Sequence, residues 1–99
     1  MWVEILVGNL KEDWIRKDLD DIIAWSNEDK TKEGIINMRY FLSEDRKNFV
    51  MLVEYKTKED MERITKKWEE GKFEQQEWFQ EMMSKVFQAG QSKYYEQIA

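Results

Sequence analysis

Residues 33–61, EGIINMRYFLSEDRKNFVMLVEYKTKEDM, decide how the rest of the chain is read. Apolar side chains alternate along Ile35–Leu42 and again along Phe49–Lys56, and the charged stretch Ser43–Asn48 between them suits a hairpin loop. After Thr57 the spacing changes, and Met61, Ile64 and Trp68 recur at helical intervals. Thr57 is expected to cap this helix with Asp60 as its capping-box partner. The stretch therefore reads as strand, turn, strand and helix start.

Each strand of this hairpin has two distinct faces. Ile36, Met38, Tyr40 and Leu42 share one side of the first, and Ile35, Asn37, Arg39 and Phe41 the other. On the second, Phe49, Met51, Val53 and Tyr55 oppose Val50, Leu52 and Glu54. A register pairing Leu42 with Phe49 sets Asn37 across from Glu54 and makes Arg39 a diagonal neighbour of Glu54.

Working outward, Trp2–Val7 alternates as well, with Val3, Ile5 and Val7 on one face and Trp2, Glu4 and Leu6 on the other. Gly8 is expected to end this strand. Asn9 and Glu12 offer a capping box for a helix over Leu10–Trp25, whose core stripe is Ile15, Leu19, Ile22 and Ile23. Leu10, Trp14 and Trp25 flank that stripe and either pack on the sheet edge or meet a second subunit. Ser26–Glu33 reads as a polar loop, and Gly34 opens the second strand. Toward the C-terminus, Gly71 interrupts the second helix. A segment over Phe73–Phe87 turns Phe79, Met82, Met83 and Val86 inward, Gly90 stops it, and Lys93–Ile98 is expected to be the last strand.

The order strand, helix, strand, strand, helix, strand predicts an α+β, ferredoxin-like βαββαβ fold with a four-stranded antiparallel sheet, formed by residues 1–99 as one domain. Two helices cover one face of such a sheet. The continuous apolar set Val3, Ile5, Val7, Ile36, Met38, Tyr40, Leu42, Phe49, Met51, Val53 and Tyr55 is assigned to them. The other face still carries Trp2, Leu6, Ile35, Phe41, Val50 and Leu52, each of which contributes about 1.5–3 kcal/mol when buried. The same face of a second copy is the simplest cover, which predicts a homodimer through the sheet; a different partner is the competing reading.

Composition narrows the chemistry. A net charge of −5 with no long basic tract argues against a nucleic-acid partner. The absence of Cys and His removes thiolates, the commonest metal ligand, the neutral-pH acid–base catalyst and the proximal haem ligand. No metal or cofactor is expected. Asp20-Asp21 and Glu69-Glu70 are adjacent carboxylates that diverge on a helix, without calcium-loop spacing. No apolar run approaches a membrane span and the N-terminus has no signal-peptide pattern, so a cytoplasmic protein is expected.

Glu33-Gly34-Ile35, the strand Phe49–Tyr55, Thr57–Met61 and Phe73 together resemble the dimeric α+β barrel superfamily, in particular its antibiotic-biosynthesis-monooxygenase-like domains. The resemblance implies a dimeric barrel and a small aromatic or polyketide-like ligand, oxidised without metal or haem in the enzymatic branch. It also shows departures. Many relatives carry a His where this chain has Ile64, and haem-degrading relatives use one where it has Glu77, so neither role transfers.

On the face left for the partner, Glu54, Arg39 and Glu4 are the candidate catalytic residues. Arg39 would bind an anionic or enolate oxygen, and a buried Glu4 or Glu54 would take a proton. Asn37, Trp2, Phe41, Leu52 and Tyr94 (or Tyr95) would bind the ligand. The same charged groups equally suit a structural network that fixes dimer register. A pocket between sheet and helices, lined by Trp14, Trp25, Tyr40, Tyr55 and Trp68, is the alternative location. A non-catalytic dimeric binding or stress-related module is the alternative function.

Overall fold

The computed structural model describes residues 1–28 and 33–99. Its elements run β1 (Trp2–Leu10), α1 (Arg16–Ser26), β2 (Ile35–Leu42), β3 (Asn48–Tyr55), α2 (Lys58–Glu69), α3 (Gln76–Val86) and β4 (Phe87–Glu96). The four strands form one antiparallel sheet in the order β2-β3-β1-β4, with the helices packed on one side. This is the expected βαββαβ arrangement, its second helical segment split into α2 and α3. No helix among the described residues is long and apolar enough to cross a membrane. Of the expected Ser26–Glu33 loop, residues 29–32 lie outside the described residues.

The hairpin forms as its alternation dictates. Leu42 pairs with Phe49, Asn37 with Glu54 and Arg39 with Leu52. Its turn is held by Ser43, whose Oγ accepts from the backbone N–H groups of Lys47 and Asn48 and donates to Asp45. A shift in pairing between Ile35 and Asn37 puts Ile35, not Ile36, opposite Tyr55, and leaves Ile36 exposed. Such a bulge inserts one unpaired residue and exchanges the faces beyond it. Ile36 therefore leaves the expected helix-side set, and Ile35 joins it.

Thr57 caps α2 as expected: its Oγ1 accepts from the Asp60 N–H at 3.1 Å and donates to the Asp60 carboxylate at 2.9 Å. Arg63 bonds both Asp60 and the Glu33 carbonyl, tying the helix start to the entry of β2. Gly34 has φ +93°, and a Cβ there would lie 2.6 Å from the Asp60 side chain. At the other end of α2, Gly71 adopts φ +67° and donates to the Trp68 carbonyl while Lys72 donates to that of Lys67, a Schellman closure.

Three further expectations are corrected. The first concerns the start of α1. The strand β1 runs on to Leu10, because Leu10 N–H bonds Lys47 O and Lys11 N–H bonds Val86 O, and Leu10 is buried in the core. Asn9 pairs with Asn48 instead of capping, and α1 opens at Arg16 behind an extended Ile15 with no side-chain cap. Second, Gly90 does not end a helix. It lies inside β4 opposite Gly8, and β4 begins directly after α3 at Phe87.

The third correction reverses the faces of β1. Trp2 pairs with Tyr55, Glu4 with Val53, Leu6 with Met51 and Gly8 with Phe49. Directly opposed residues project to the same side, so Trp2, Glu4 and Leu6 face the helices, while Val3, Ile5 and Val7 share the other side with Val50, Leu52 and Glu54. Both β1 sets are apolar enough for either side. Leu10 fixes the choice, since its burial among Leu19, Phe49 and Val86 places even-numbered β1 residues inward.

The core has two parts. Leu10, Leu19, Ile22, Trp25, Phe49, Phe73, Phe79, Met82 and Val86 form the larger, centred on Trp25, which stacks on Phe79 at 4.0 Å and donates to the Glu74 carbonyl. Val53, Tyr55 and Met61 form the smaller beneath α2, with Trp2, Ile35 and Met38 beside them.

Candidate functional site

The reversed β1 divides the expected site between the two sides of the sheet. Arg39, Glu54, Asn37, Phe41 and Leu52 remain together on the side without helices. There the Arg39 guanidinium lies 3.5 Å from the Glu54 carboxylate, the diagonal pairing read from the register. The Arg39 side chain is 55% exposed and that of Glu54 17%. Such a long, half-open ion pair contributes little by itself. Around it lie Val3, Ile5, Val7, Phe41, Val50, Leu52 and Tyr95, an apolar surface that no helix among the described residues covers.

Glu4, Trp2 and Tyr94 are on the helix side. The Tyr55 hydroxyl donates to Glu4 Oε1 at 2.8 Å, and Tyr94, opposite Glu4 in β4, is its other neighbour. Burial first, then the Glu4 carboxylate, push the Tyr55 phenol far above its ordinary pKa. Burial also raises Tyr94, against a hydrogen bond from Thr65. Both phenols therefore stay protonated donors toward a carboxylate acceptor. Trp2 lies beneath α2, with Lys58 Nζ 5.3 Å from its ring centroid. Tyr95, the alternative to Tyr94, projects to the uncovered side.

A cleft of about 420 Å³ opens on the helix side between α3 and the β1–β4 end of the sheet. Gly8, Gly90, Leu6 and Ser92 form its floor; Trp68, Phe79, Gln80, Met83 and Ser84 its helical wall; Tyr40, Phe49, Met51 and Phe87 its far side. None of the described side chains lining it is charged. The Tyr40 hydroxyl donates to Asn27 at 3.1 Å, and burial pushes its pKa up to about 12 against a hydrogen bond with Ser26. Glu4 and Tyr94 stand one rung beyond Leu6 and Ser92, about 7 Å along the strands.

Two of the residues expected in a sheet–helix pocket, Tyr40 and Trp68, do line this cleft. Trp25 is core, Tyr55 belongs with Glu4, and Trp14 borders a separate polar hollow beside the Asp45–Asn48 turn. Sequence reasoning missed Gly8, Gly90, Met83 and Phe87. The signal was there in two glycines eight and ten residues from chain ends that prove to be strands, each read as a terminator. The adjacent carboxylates are also accounted for: Asp20 and Asp21 pair with Arg16 and Lys17, and Glu70 with Lys72.

An antiparallel ferredoxin-like sheet with one helical layer defines a class of small α+β proteins. Among solved structures, this chain superposes on a protein provisionally described as an antibiotic biosynthesis monooxygenase from Nitrosomonas europaea, with TM-score 0.75, 17% identity and full coverage of both chains. It matches an uncharacterized NIPSNAP domain protein from Burkholderia xenovorans with TM-score 0.73 and 12% identity, covering 100% of this chain and 96% of the other. A NIPSNAP family protein of unknown function from Agrobacterium tumefaciens gives TM-score 0.71 at 15% identity, over 96% of this chain and 86% of that one. No protein-family model and no curated protein matches the chain. The likeness is one of fold: the chain adopts the ferredoxin-like α+β fold of these antibiotic-biosynthesis-monooxygenase-like and NIPSNAP structures, as the hairpin residues implied.

Proposed function

We propose that this protein binds a small, uncharged, flat aromatic molecule in the sheet–helix cleft, as a homodimer joined through the uncovered sheet face, without chemical turnover. The observation that carries the reading is the cleft itself: a volume in the range of small-molecule sites, walled by aromatic and thioether side chains, with hydroxyl and amide groups but no charge among the described residues. Desolvating a charged ligand there without a partner would cost several kcal/mol, roughly the whole gain from burying one ring. A neutral ligand avoids that cost.

The same lining argues for binding over oxidation. Proton abstraction needs a base within about 3 Å of the substrate atom, and Glu4, the carboxylate on the helix side of the sheet proposed for that role, stands a rung away with an oxygen engaged by Tyr55. Arg39 and Glu54 lie on the opposite side of the sheet. For the dimer, Val3, Ile5, Val7, Phe41, Val50 and Leu52 supply the apolar surface, and Arg39 and Glu54 supply both signs of charge, so a twofold axis can set each against its opposite.

Calorimetric titration with 2-naphthol and 2-naphthoate, with oxygen uptake followed in parallel, tests the reading. Saturable naphthol binding, at least about tenfold weaker naphthoate binding and no oxygen consumption above buffer are expected. Equal binding of the two, or oxygen uptake abolished by Glu4→Gln, would overturn it in favour of a charged or catalytic site.

A further inference from the structure

Three aromatic rings cross the helix side of the sheet in a row. Tyr40 of β2 and Phe49 of β3 lie 6.1 Å apart and 5° from parallel, and Phe49 and Phe87 are 5.6 Å apart at 23°. Phe87 belongs to β4 but its ring lies over β1. A Cβ on Gly8 would lie 2.7 Å from the Phe87 Cδ1, so the ring occupies the place where a Gly8 side chain would stand. The next strand position in the row is Gly90, paired with Gly8. A Cβ there would meet only Val7 O at 3.6 Å and Gly8 Cα at 3.9 Å, ordinary contacts with backbone beneath it. Above it is the cleft.

We infer that the ligand ring seats over Gly90 as the fourth member of this row, stacked beyond Phe87, and that Gly90 is the residue that sets the preference for flat molecules. This rests on the cleft being the binding site. Rings at these separations favour an offset stack, and a glycine lets another group approach the backbone closely. A saturated ring system of the same size is thicker and gains no stacking. A side chain at position 90 would take the ligand's place, while Gly8 is already committed to Phe87.

The test compares 2-naphthol with its saturated counterpart decahydro-2-naphthol, by calorimetry and by amide NMR shifts, on the full chain and on Gly90→Leu and Gly90→Ala. Expected are an affinity at least about tenfold greater for the planar probe, ring-current shifts at Phe87 and Gly90, and at least a tenfold loss in Gly90→Leu with an unchanged fold. Should Gly90→Leu not fold, Gly90→Ala and the NMR shifts decide. Naphthol binding that ignores Gly90→Leu, or shifts elsewhere in the cleft, would overturn this seat and leave the cleft standing. No saturable binding of either probe to the unaltered protein would overturn the cleft reading, and this inference with it.

Discussion

Removing a single oxygen, by Tyr55→Phe, probes the placement of β1 on which the site depends. Tyr55 is 2% exposed and its ring stays packed in the variant, so the change deletes the donor and little else. The lost hydrogen bond runs to a carboxylate at 2.8 Å, and bonds to charged groups contribute about 1.5–3 kcal/mol. Glu4 is only partly buried and keeps Tyr94 beside it, so water and a second phenol recover some of the loss. The lower end, about 1.5 kcal/mol, is expected, or a melting temperature lower by about 6–12 °C for a chain of this size. Glu4→Gln keeps an acceptor and loses the charge, and should cost less. In the double variant the two losses should overlap, with a coupling of about 1 kcal/mol. Urea unfolding followed by circular dichroism, at one fixed protein concentration, measures all four corners. A Tyr55→Phe cost under about 0.5 kcal/mol with no coupling to Glu4→Gln would refute the reasoning. Coupling of Glu4→Gln to Arg39→Met instead would return Glu4 to the uncovered face.

Four further outcomes follow from particular contacts. Leu52→Asp puts a charge at the centre of the uncovered face; sedimentation should show the proposed dimer dissociating at concentrations at least about a hundredfold higher than the unaltered chain needs, while naphthol binding on the far side of the sheet persists. Gly8→Ala should cost about 1–3 kcal/mol by displacing Phe87, whereas Gly90→Ala should change unfolding free energy by less than about 0.5 kcal/mol; equal costs would contradict the ring row. Tyr40 and Tyr55 hold their protons more tightly folded than unfolded, so their contribution is complete below about pH 10 and is lost as pH rises further, Tyr40's up to about 12; melting should fall steeply above pH 10, less so in Tyr55→Phe, and a flat profile would contradict the burial of both phenols. Gly34→Ala, strained at φ +93° and facing Asp60 at 2.6 Å, should lower the unfolding free energy by about 1–3 kcal/mol, read by urea titration.

The hairpin was legible because its two alternations constrain each other. Asn37 opposite Glu54 and Arg39 diagonal to it follow from a turn that can close in few ways, and the structure pairs them so. The Thr57–Asp60 box and the Gly71 break were legible for a similar reason: each is a local device whose partners are three or four residues away. The bulge at Ile36 left no trace in the pattern, since Ile35 and Ile36 are the same residue type and either can face the core.

The site was less legible because β1 is apolar on both faces, and a two-residue period says which residues go together but not which way they go. The decision comes from Leu10, read as the first residue of a helix when its backbone was needed by Lys47 and its side chain by the core. Extending β1 by three residues turns Glu4 inward, moves Trp2 beneath α2, and leaves Arg39 and Glu54 facing outward. The glycines carry the same lesson. Punctuation is what a lone glycine signifies in a chain read locally; Gly8 and Gly90, over eighty positions apart in sequence, become a floor only once β1 and β4 are neighbours. A cleft built from such absent side chains is defined by pairing, and pairing across the length of the chain is the one thing that alternation and spacing do not encode.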